Sequence, residues 1–205
     1  MREAPPPPAL KDPQRTTMTP RKPFVFIRHG QTDWNLQRKA QGSTDIPLNA
    51  TGRAQARAAV EILRPFALTR VVASPLGRAR ETAEILAEGL GIEAFALEPD
   101  LREAGFGVLE GTPWSDSFAA FYAGTLIPEG GEAFVDFRAR ALLGLGRALQ
   151  GEGAPLIVAH GGVWKALRGA LDIRPRGVAP NCVPLSVRPH GEGWLAEGDL
   201  EPENS

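Results

Sequence analysis

Two histidines in this sequence are placed where they could carry out chemistry on a bound ligand. His29 follows the apolar run Phe24–Ile27, and His160 follows the apolar run Pro155–Ala159. Short runs of this kind predict strands that are buried on both faces of a sheet. In open α/β sheets, ligands bind in the crevice beyond the carboxyl ends of the strands. If the two strands are neighbours, the two imidazoles should therefore face each other across one crevice.

The residues around the two histidines favour an anionic ligand. Arg28 directly precedes His29, and a guanidinium presents a planar fork of donors that stays charged at any working pH. Gly161 follows His160, where a glycine lets the backbone approach a ligand and a following helix would direct its amide donors at an anion. We therefore expect an anion-binding crevice in which Arg28 and Gly161 contact the ligand.

Composition excludes several other kinds of site. The chain has 205 residues, 42% of them hydrophobic and 23% charged, with a net charge of −1. That balance gives no global field to attract nucleic acid or an anionic membrane, and we predict neither as a partner. Cys182 is the single cysteine and there are three histidines, so we predict no disulfide, no metal site and no cofactor, although a carboxylate-only magnesium site stays open.

The order of the predicted elements indicates a single domain. Apolar strand patterns alternate with helical ones, which predicts an α/β fold with a mainly parallel sheet. We expect residues 1–22 to form a disordered, proline-rich tail, residues 23–198 the domain and residues 199–205 a second tail. No secretory signal is recognisable, so we expect a cytoplasmic protein. A further hypothesis is that translation starts at Met18 in the cell.

Local signals place several of these elements. The alanine-rich segment Ala50–Leu63 predicts a helix that ends before Pro65. Ser74 followed by proline suggests a hydroxyl N-cap with proline at the first helical position. The segments Val183–Val187 and Gly193–Ala196 predict strands at the edge of the sheet.

Beyond these patterns, a series of motifs resembles the histidine phosphatase superfamily, the phosphoglycerate-mutase-like enzymes. The resemblance covers roughly residues 24–186, and its blocks occur in the order of the family. It is carried by Arg28-His29-Gly30-Gln31-Thr32-Asp33-Trp34-Asn35, Gln41-Gly42, Asp45-Ile46-Pro47-Leu48-Asn49, Ser74-Pro75-Leu76-Gly77-Arg78-Ala79, Leu101-Arg102-Glu103, Glu110-Gly111 and His160-Gly161-Gly162. The resemblance implies a three-layer sandwich with helices on both faces of the sheet.

The resemblance also implies roles for residues that spacing alone does not single out. It implies that His29 becomes phosphorylated, that Glu103 donates and accepts the proton, and that His160 supports the reacting phosphoryl group. Arg78 would bind the phosphate with Arg28, and Asn35 would add an uncharged donor. Glu110 is the competing carboxylate, which we interpret as structural.

Three functions follow from this resemblance, and we favour a phosphatase that acts on a small-molecule phosphate ester. The segment Thr112–Glu129 is shorter than the corresponding region of phosphoglycerate mutases, which makes a cofactor-dependent mutase the second alternative. The third is a catalytically silent phosphate-binding module. Aromatic residues near the motifs could face the substrate or belong to the core: Trp34, Phe106, Trp114, Phe118 and Tyr122. The sequence leaves the physiological substrate and the oligomeric state open, a homodimer included.

Overall fold

The computed structural model describes residues 20–202, which form seven strands and six α-helices. The predicted disorder of residues 1–19, the hypothesis about Met18 and the predicted tail over residues 203–205 lie outside the described residues. The strands are β1 (Phe24–Arg28), β2 (Leu68–Ala73), β3 (Phe95–Leu97), β4 (Ala154–Ala159), β5 (Ile173–Arg174), β6 (Pro184–His190) and β7 (Gly193–Glu197). The helices are α1 (Asp33–Leu36), α2 (Ala50–Leu63), α3 (Gly77–Leu90), α4 (Asp116–Ala123), α5 (Phe134–Ala148) and α6 (Gly161–Leu171).

One mostly parallel sheet organises the molecule. Its order is β3-β2-β4-β1-β6-β7-β5, and β1, β2, β3 and β4 run parallel to one another. Strand β6 is antiparallel to both β1 and β7. Because β4 lies between β1 and β2, the carboxyl ends of these three strands meet at one edge of the sheet.

Alternation along the buried strands produces two hydrophobic layers, one on each face of the sheet. Phe24 and Phe26 of β1 pack in a cluster with residues of α4, α5 and α6, including Trp164. Val25 and Ile27 point to the opposite face, where they pack with residues of α2 and α3. The α/β three-layer sandwich with helices on both faces is therefore confirmed.

Two local predictions are wrong. Ser74 does not cap a helix: α3 begins at Gly77, its N-cap is Leu76, and the Ser74 hydroxyl is instead directed at a histidine. The predicted edge strands lie inside the sheet, since β6 pairs with β1 and β7, and β7 pairs with β5. The outer position is taken by β5, a two-residue strand that no pattern in the sequence revealed. The predicted helix Ala50–Leu63 is confirmed.

Both ends of the described chain contact the domain. The Arg21 guanidinium donates to the carbonyl oxygens of Gly191, Glu192 and Gly193, and Glu201 pairs with Val178 through two backbone hydrogen bonds. The domain bounds of 23–198 stay a prediction, and these contacts lie just outside them. None of the helices formed by residues 20–202 is both long enough and apolar enough to cross a membrane.

Candidate active site

The two histidines at the strand ends meet as expected. Strands β1 and β4 are neighbours, Arg28 is in register with Ala159, and the amide of His29 donates to the carbonyl of Ala159 at 3.0 Å. The ring centroids of His29 and His160 lie 5.2 Å apart. Both side chains are buried, with exposed fractions of 2% and 0%.

His29 is held in a single orientation by its neighbour. Its Nδ1 lies 2.7 Å from the carbonyl oxygen of Gly30. Because a carbonyl oxygen can only accept a hydrogen bond, Nδ1 carries the proton and Nε2 carries the lone pair. Burial, and then the guanidinium groups of Arg78 and Arg28, lower the pKa of His29 well below its usual 6.5. The imidazole is therefore neutral at pH 7, with Nε2 free to act as a nucleophile.

His160 is oriented by Ser74, which directly follows the adjacent strand β2. Nε2 of His160 lies 2.7 Å from the Ser74 hydroxyl, and that hydroxyl accepts from the amide of Leu76 at 3.3 Å. The pairing that satisfies most groups has Ser74 donating its proton to Nε2, so that Nδ1 carries the imidazole proton. Nδ1 is buried and has no partner among residues 20–202. It is thus an N–H donor available to a ligand.

Two arginines bring unused donors to the site. Arg28 donates from Nη1 to the carbonyl of Ala179, and Arg78 donates to the carbonyls of Thr44 and Gly42 at 2.9 and 2.7 Å. The Nε of each arginine is buried without a hydrogen-bond partner among the described residues. Burial lowers the pKa of Arg78 to about 10, which still leaves it charged at neutral pH. Two cations with unused donors make this a site for an anion.

Gly161 lies next to Arg28. A Cβ built at Gly161 would stand 3.6 Å from both Cζ and Nε of Arg28, in ordinary van der Waals contact. Gly161 is also the first residue of α6, whose N-cap is His160. The start of this helix, the imidazole of His160 and the guanidinium of Arg28 are therefore adjacent, as the sequence predicted.

Glu103 also contacts the start of helix α6. Its Oε2 accepts from the amide of Gly162 at 2.9 Å, and its Oε1 accepts from the amide of Ala104 at 3.0 Å. Burial raises the pKa of Glu103 above 4.5, and these two hydrogen bonds, with the charges of Arg78 and Arg28, only partly oppose that rise. A carboxyl group with a raised pKa is suited to give up a proton near neutral pH.

Asn35 and Glu110 bind parts of the surrounding loops. Oδ1 of Asn35 accepts from the amide and the hydroxyl of Thr32 in the capping box of α1, which leaves Nδ2 as its available donor. The structure gives Asn35 no hydrogen bond to the other predicted site residues. Glu110 accepts from the amides of Ser43, Thr44 and Phe106 and from two hydroxyls, contacts that fit a structural role.

The aromatic candidates differ in their burial. Phe106 and Phe118 are buried in the core, and Trp114 is about half exposed. Tyr122 lies beside the carboxyl group of Glu103: a Cβ built at Gly162 would meet Oε1 of Glu103 at 2.3 Å and the Tyr122 hydroxyl at 2.9 Å. Burial and the charge of Glu103 raise the pKa of Tyr122 well above 10, so its hydroxyl stays protonated.

Sequence reasoning missed two residues that contact the site histidines. Ser74 could have been found, because it follows a buried strand as His29 and His160 do. Asn181 donates from Nδ2 to the carbonyl of His29 at 2.7 Å. Asn181 belongs to a loop whose approach to β1 no local pattern reveals.

Two neutral imidazoles, two guanidinium groups and a carboxyl group of raised pKa thus lie at the carboxyl edge of the parallel strands, an arrangement that suits an anionic ligand. The chain belongs to the histidine phosphatase superfamily (branch 1), whose family model matches residues 24–193. Within residues 20–202, no group of three or more histidine, cysteine, aspartate or glutamate side chains could hold a metal ion.

Relatives of this chain carry the names of both phosphatases and mutases. It is 41% identical to "Uncharacterized phosphatase PhoE" of Bacillus subtilis over 69% of this chain and 73% of that protein. It is 33% identical to "Probable phosphoglycerate mutase GpmB" of Yersinia enterocolitica over 84% of this chain and 87% of that protein. Among solved structures, a mycobacterial glucosyl-3-phosphoglycerate phosphatase with VO3 superposes with a TM-score of 0.71 and 31% identity, covering 89% of this chain and all of that chain.

Proposed function

We propose that this protein is a metal-independent phosphomonoesterase that hydrolyses a small phosphorylated metabolite through a phosphohistidine at His29. The observation that carries the proposal is the hydrogen bond from Nδ1 of His29 to the carbonyl of Gly30. It fixes the neutral imidazole with Nε2 as the nucleophile, and it will hold the Nδ1 proton when the ring becomes positively charged during attack.

The first step transfers the phosphoryl group to the enzyme. Nε2 of His29 attacks phosphorus in line with the ester oxygen, so that an N–P bond forms as the P–O bond breaks. The electron pair of the breaking bond goes to the leaving oxygen, and Glu103 supplies the proton that makes it an alcohol. The products are phospho-His29 and the carboxylate form of Glu103.

The second step releases inorganic phosphate. The Glu103 carboxylate takes a proton from water, whose oxygen attacks phosphorus as the N–P bond breaks and the electron pair returns to Nε2. Arg28, Arg78 and the Nδ1–H of His160 supply donors for the negative oxygens in both transition states. Such preorganised donors are each worth about 3–4 kcal/mol of transition-state stabilisation.

A phosphoglycerate mutase is the second candidate, favoured by the relatives named GpmB. A mutase must keep water from its phosphohistidine until the substrate returns, so it needs a closed pocket. In this chain the segment 112–129 holds α4, a helix of eight residues, as its only helix. We favour the phosphatase because so short a segment offers little chain to cover the site.

The test is phosphate release from p-nitrophenyl phosphate, phosphosugars, nucleotides and 3-phosphoglycerate in the presence of EDTA. We expect the wild type to release phosphate and His29→Ala to lose nearly all of this activity. The reactions are stopped with alkali and not with acid, so that phosphohistidine is retained. When the substrate carries a labelled phosphate, the label should remain on the wild-type protein after the quench and should be missing from the variant. Interconversion of 2- and 3-phosphoglycerate without hydrolysis would favour the mutase, and normal turnover by His29→Ala would disprove the mechanism.

A further inference from the structure

We propose that the ion pair of Glu132 and Arg140 is a positioning device for Glu103 as the proton donor. The inference rests on the role of Glu103 in the proposed function. Glu103 lies in the segment 102–106, which belongs to no helix or strand. A catalytic group on such a segment needs support from outside it, because an acid displaced by about 1 Å can cost on the order of 10²-fold in rate.

Arg140 extends from helix α5 and uses every N–H of its guanidinium on backbone carbonyls of residues 100–103 and on the Glu132 carboxylate. Nη1 donates to the carbonyls of Asp100 and Arg102 at 3.1 and 2.7 Å, and Nη2 donates to the carbonyl of Glu103 at 2.8 Å. Nε and the second hydrogen of Nη2 go to the two carboxylate oxygens of Glu132. All five donors are therefore satisfied, which fixes the guanidinium plane.

Glu132 completes the support from the other side of Glu103. Its Oε1 accepts from the amide of Gly105 at 2.8 Å, and its own amide donates to the carbonyl of Gly105 at 2.9 Å. The peptide of Glu103 is thus held at its own carbonyl by Arg140, and the chain two residues later is held by Glu132. The carboxylates of Glu132 and Glu103 accept hydrogen bonds from different partners. The Glu132 carboxylate can therefore keep the segment in place while the Glu103 carboxyl group reacts.

The pair is partly shielded from solvent, with 17% of the Arg140 side chain and 25% of the Glu132 side chain exposed. The Arg140 guanidinium also stacks over the ring of Phe137 at 4.8 Å. Planar stacking and a two-pronged carboxylate contact are properties of arginine that lysine lacks. Replacement by lysine keeps the charge and removes the geometry, which makes Arg140→Lys the informative variant.

Helix α5 also supplies a matched control. Arg147 lies two turns after Arg140 and pairs with the carboxylates of Glu98 and Asp100, upstream of Glu103. It makes no hydrogen bond to residues 103–105. Arg147→Lys therefore disturbs an ion pair between the same helix and the chain before Glu103, and it leaves in place the contacts of Arg140 with Glu103 and of Glu132 with Gly105.

The experiment compares two substrates that differ in their need for an acid. A glycerol phosphate releases an alkoxide that must be protonated, whereas 2,4-dinitrophenyl phosphate releases a stable phenolate. For Arg140→Lys and Glu132→Gln we expect kcat/KM to fall about 10- to 100-fold on glycerol phosphate and less than about 3-fold on dinitrophenyl phosphate. Arg147→Lys should leave kcat/KM unchanged on both substrates. Glu132→Gln keeps one acceptor oxygen, so it provides the same test if Arg140→Lys does not fold.

The outcomes separate this inference from the proposed function. Glu103→Gln should show the same substrate-selective loss in a larger measure, about 10²- to 10⁴-fold. If Glu103→Gln shows no such selectivity, the proposed acid is wrong and the proposed function fails with it. If Glu103→Gln is selective while folded Arg140→Lys and Glu132→Gln lose activity equally on both substrates, or lose none, the positioning role is overturned.

Discussion

The hydroxyl of Ser74 lies 2.7 Å from Nε2 of His160, and both side chains are fully buried. The two residues directly follow adjacent strands, since Ala73 of β2 is in register with Val158 of β4. This contact gives His160 a fixed ring orientation and leaves its Nδ1–H as the donor available to a phosphoryl group. Ser74 thus determines which ring nitrogen of His160 is available to donate to the substrate.

Ser74→Ala should therefore weaken catalysis without unfolding the protein. Loss of the hydroxyl leaves Nε2 of His160 unpaired and allows the proton to move away from Nδ1. We expect kcat/KM to fall about tenfold, the equivalent of one neutral hydrogen bond. Nitrogen-15 NMR of the ring should show the Nδ1–H tautomer of His160 in the wild type and a mixture in the variant. An unchanged ring spectrum in the variant would contradict the assignment.

Arg78 and Arg80 should differ sharply although they are two residues apart on α3. Arg78 is fully buried, whereas Arg80 is more than half exposed and pairs with Glu84 one turn away. We expect Arg78→Lys to lower kcat/KM about 10²- to 10³-fold, because lysine cannot reach the phosphate and the carbonyls of Gly42 and Thr44 together. Arg80→Ala should change stability and activity hardly at all, because an exposed ion pair contributes little. Equal losses of kcat/KM in Arg78→Lys and Arg80→Ala, measured by steady-state kinetics, would argue against a phosphate-binding role for Arg78.

Glycines on helix α6 offer a test of how tightly Glu103 is packed. A Cβ at Gly162 would meet Oε1 of Glu103 at 2.3 Å, whereas a Cβ at Gly169 would meet nothing within 4 Å. Gly162→Ala should displace the carboxyl group, lower kcat and destabilise the fold by about 1–3 kcal/mol. Gly169→Ala should keep full activity and stabilise the helix by about 0.5–1 kcal/mol. Thermal melting and kinetics of both variants are the measurement, and an active Gly162→Ala would exclude a tight fit.

The sequence was sufficient to predict the strand-end histidines, because a buried strand is short, continuously apolar and local. His29 and His160 each follow such a run, and parallel neighbours bring their carboxyl ends together. Ser74 obeys the same rule, yet the Ser-Pro pair also matches a helix start, and the local signal led to the wrong assignment. The tertiary contact with His160 determines where its hydroxyl points.

The supports of the site could not be predicted from local sequence. Arg140 lies 37 residues after Glu103, and its five partners are mostly backbone carbonyls, which carry no residue-type signal. Asn181 binds the carbonyl of His29 across 152 residues. Such contacts depend on how α5 and the loop before β6 pack on the sheet, so only the folded chain reveals them.

Burial of two neutral imidazoles should make stability depend on pH. Burial lowers the pKa values of His29 and His160 well below 6.5, so the unfolded chain binds more protons than the folded one below that pH. Their contribution to stability is complete above pH 6.5 and is lost as the pH falls toward the folded-state pKa values.

We expect the melting temperature to fall between pH 7.5 and 5.5, and to fall less in His160→Gln. His190→Gln, which replaces an exposed histidine at the end of β6, should follow the wild type. Glu103 acts in the opposite direction because its pKa is raised, but it is present in all three proteins and cancels in the comparison. An equal fall in the wild type and in His160→Gln would show that His160 does not carry the effect.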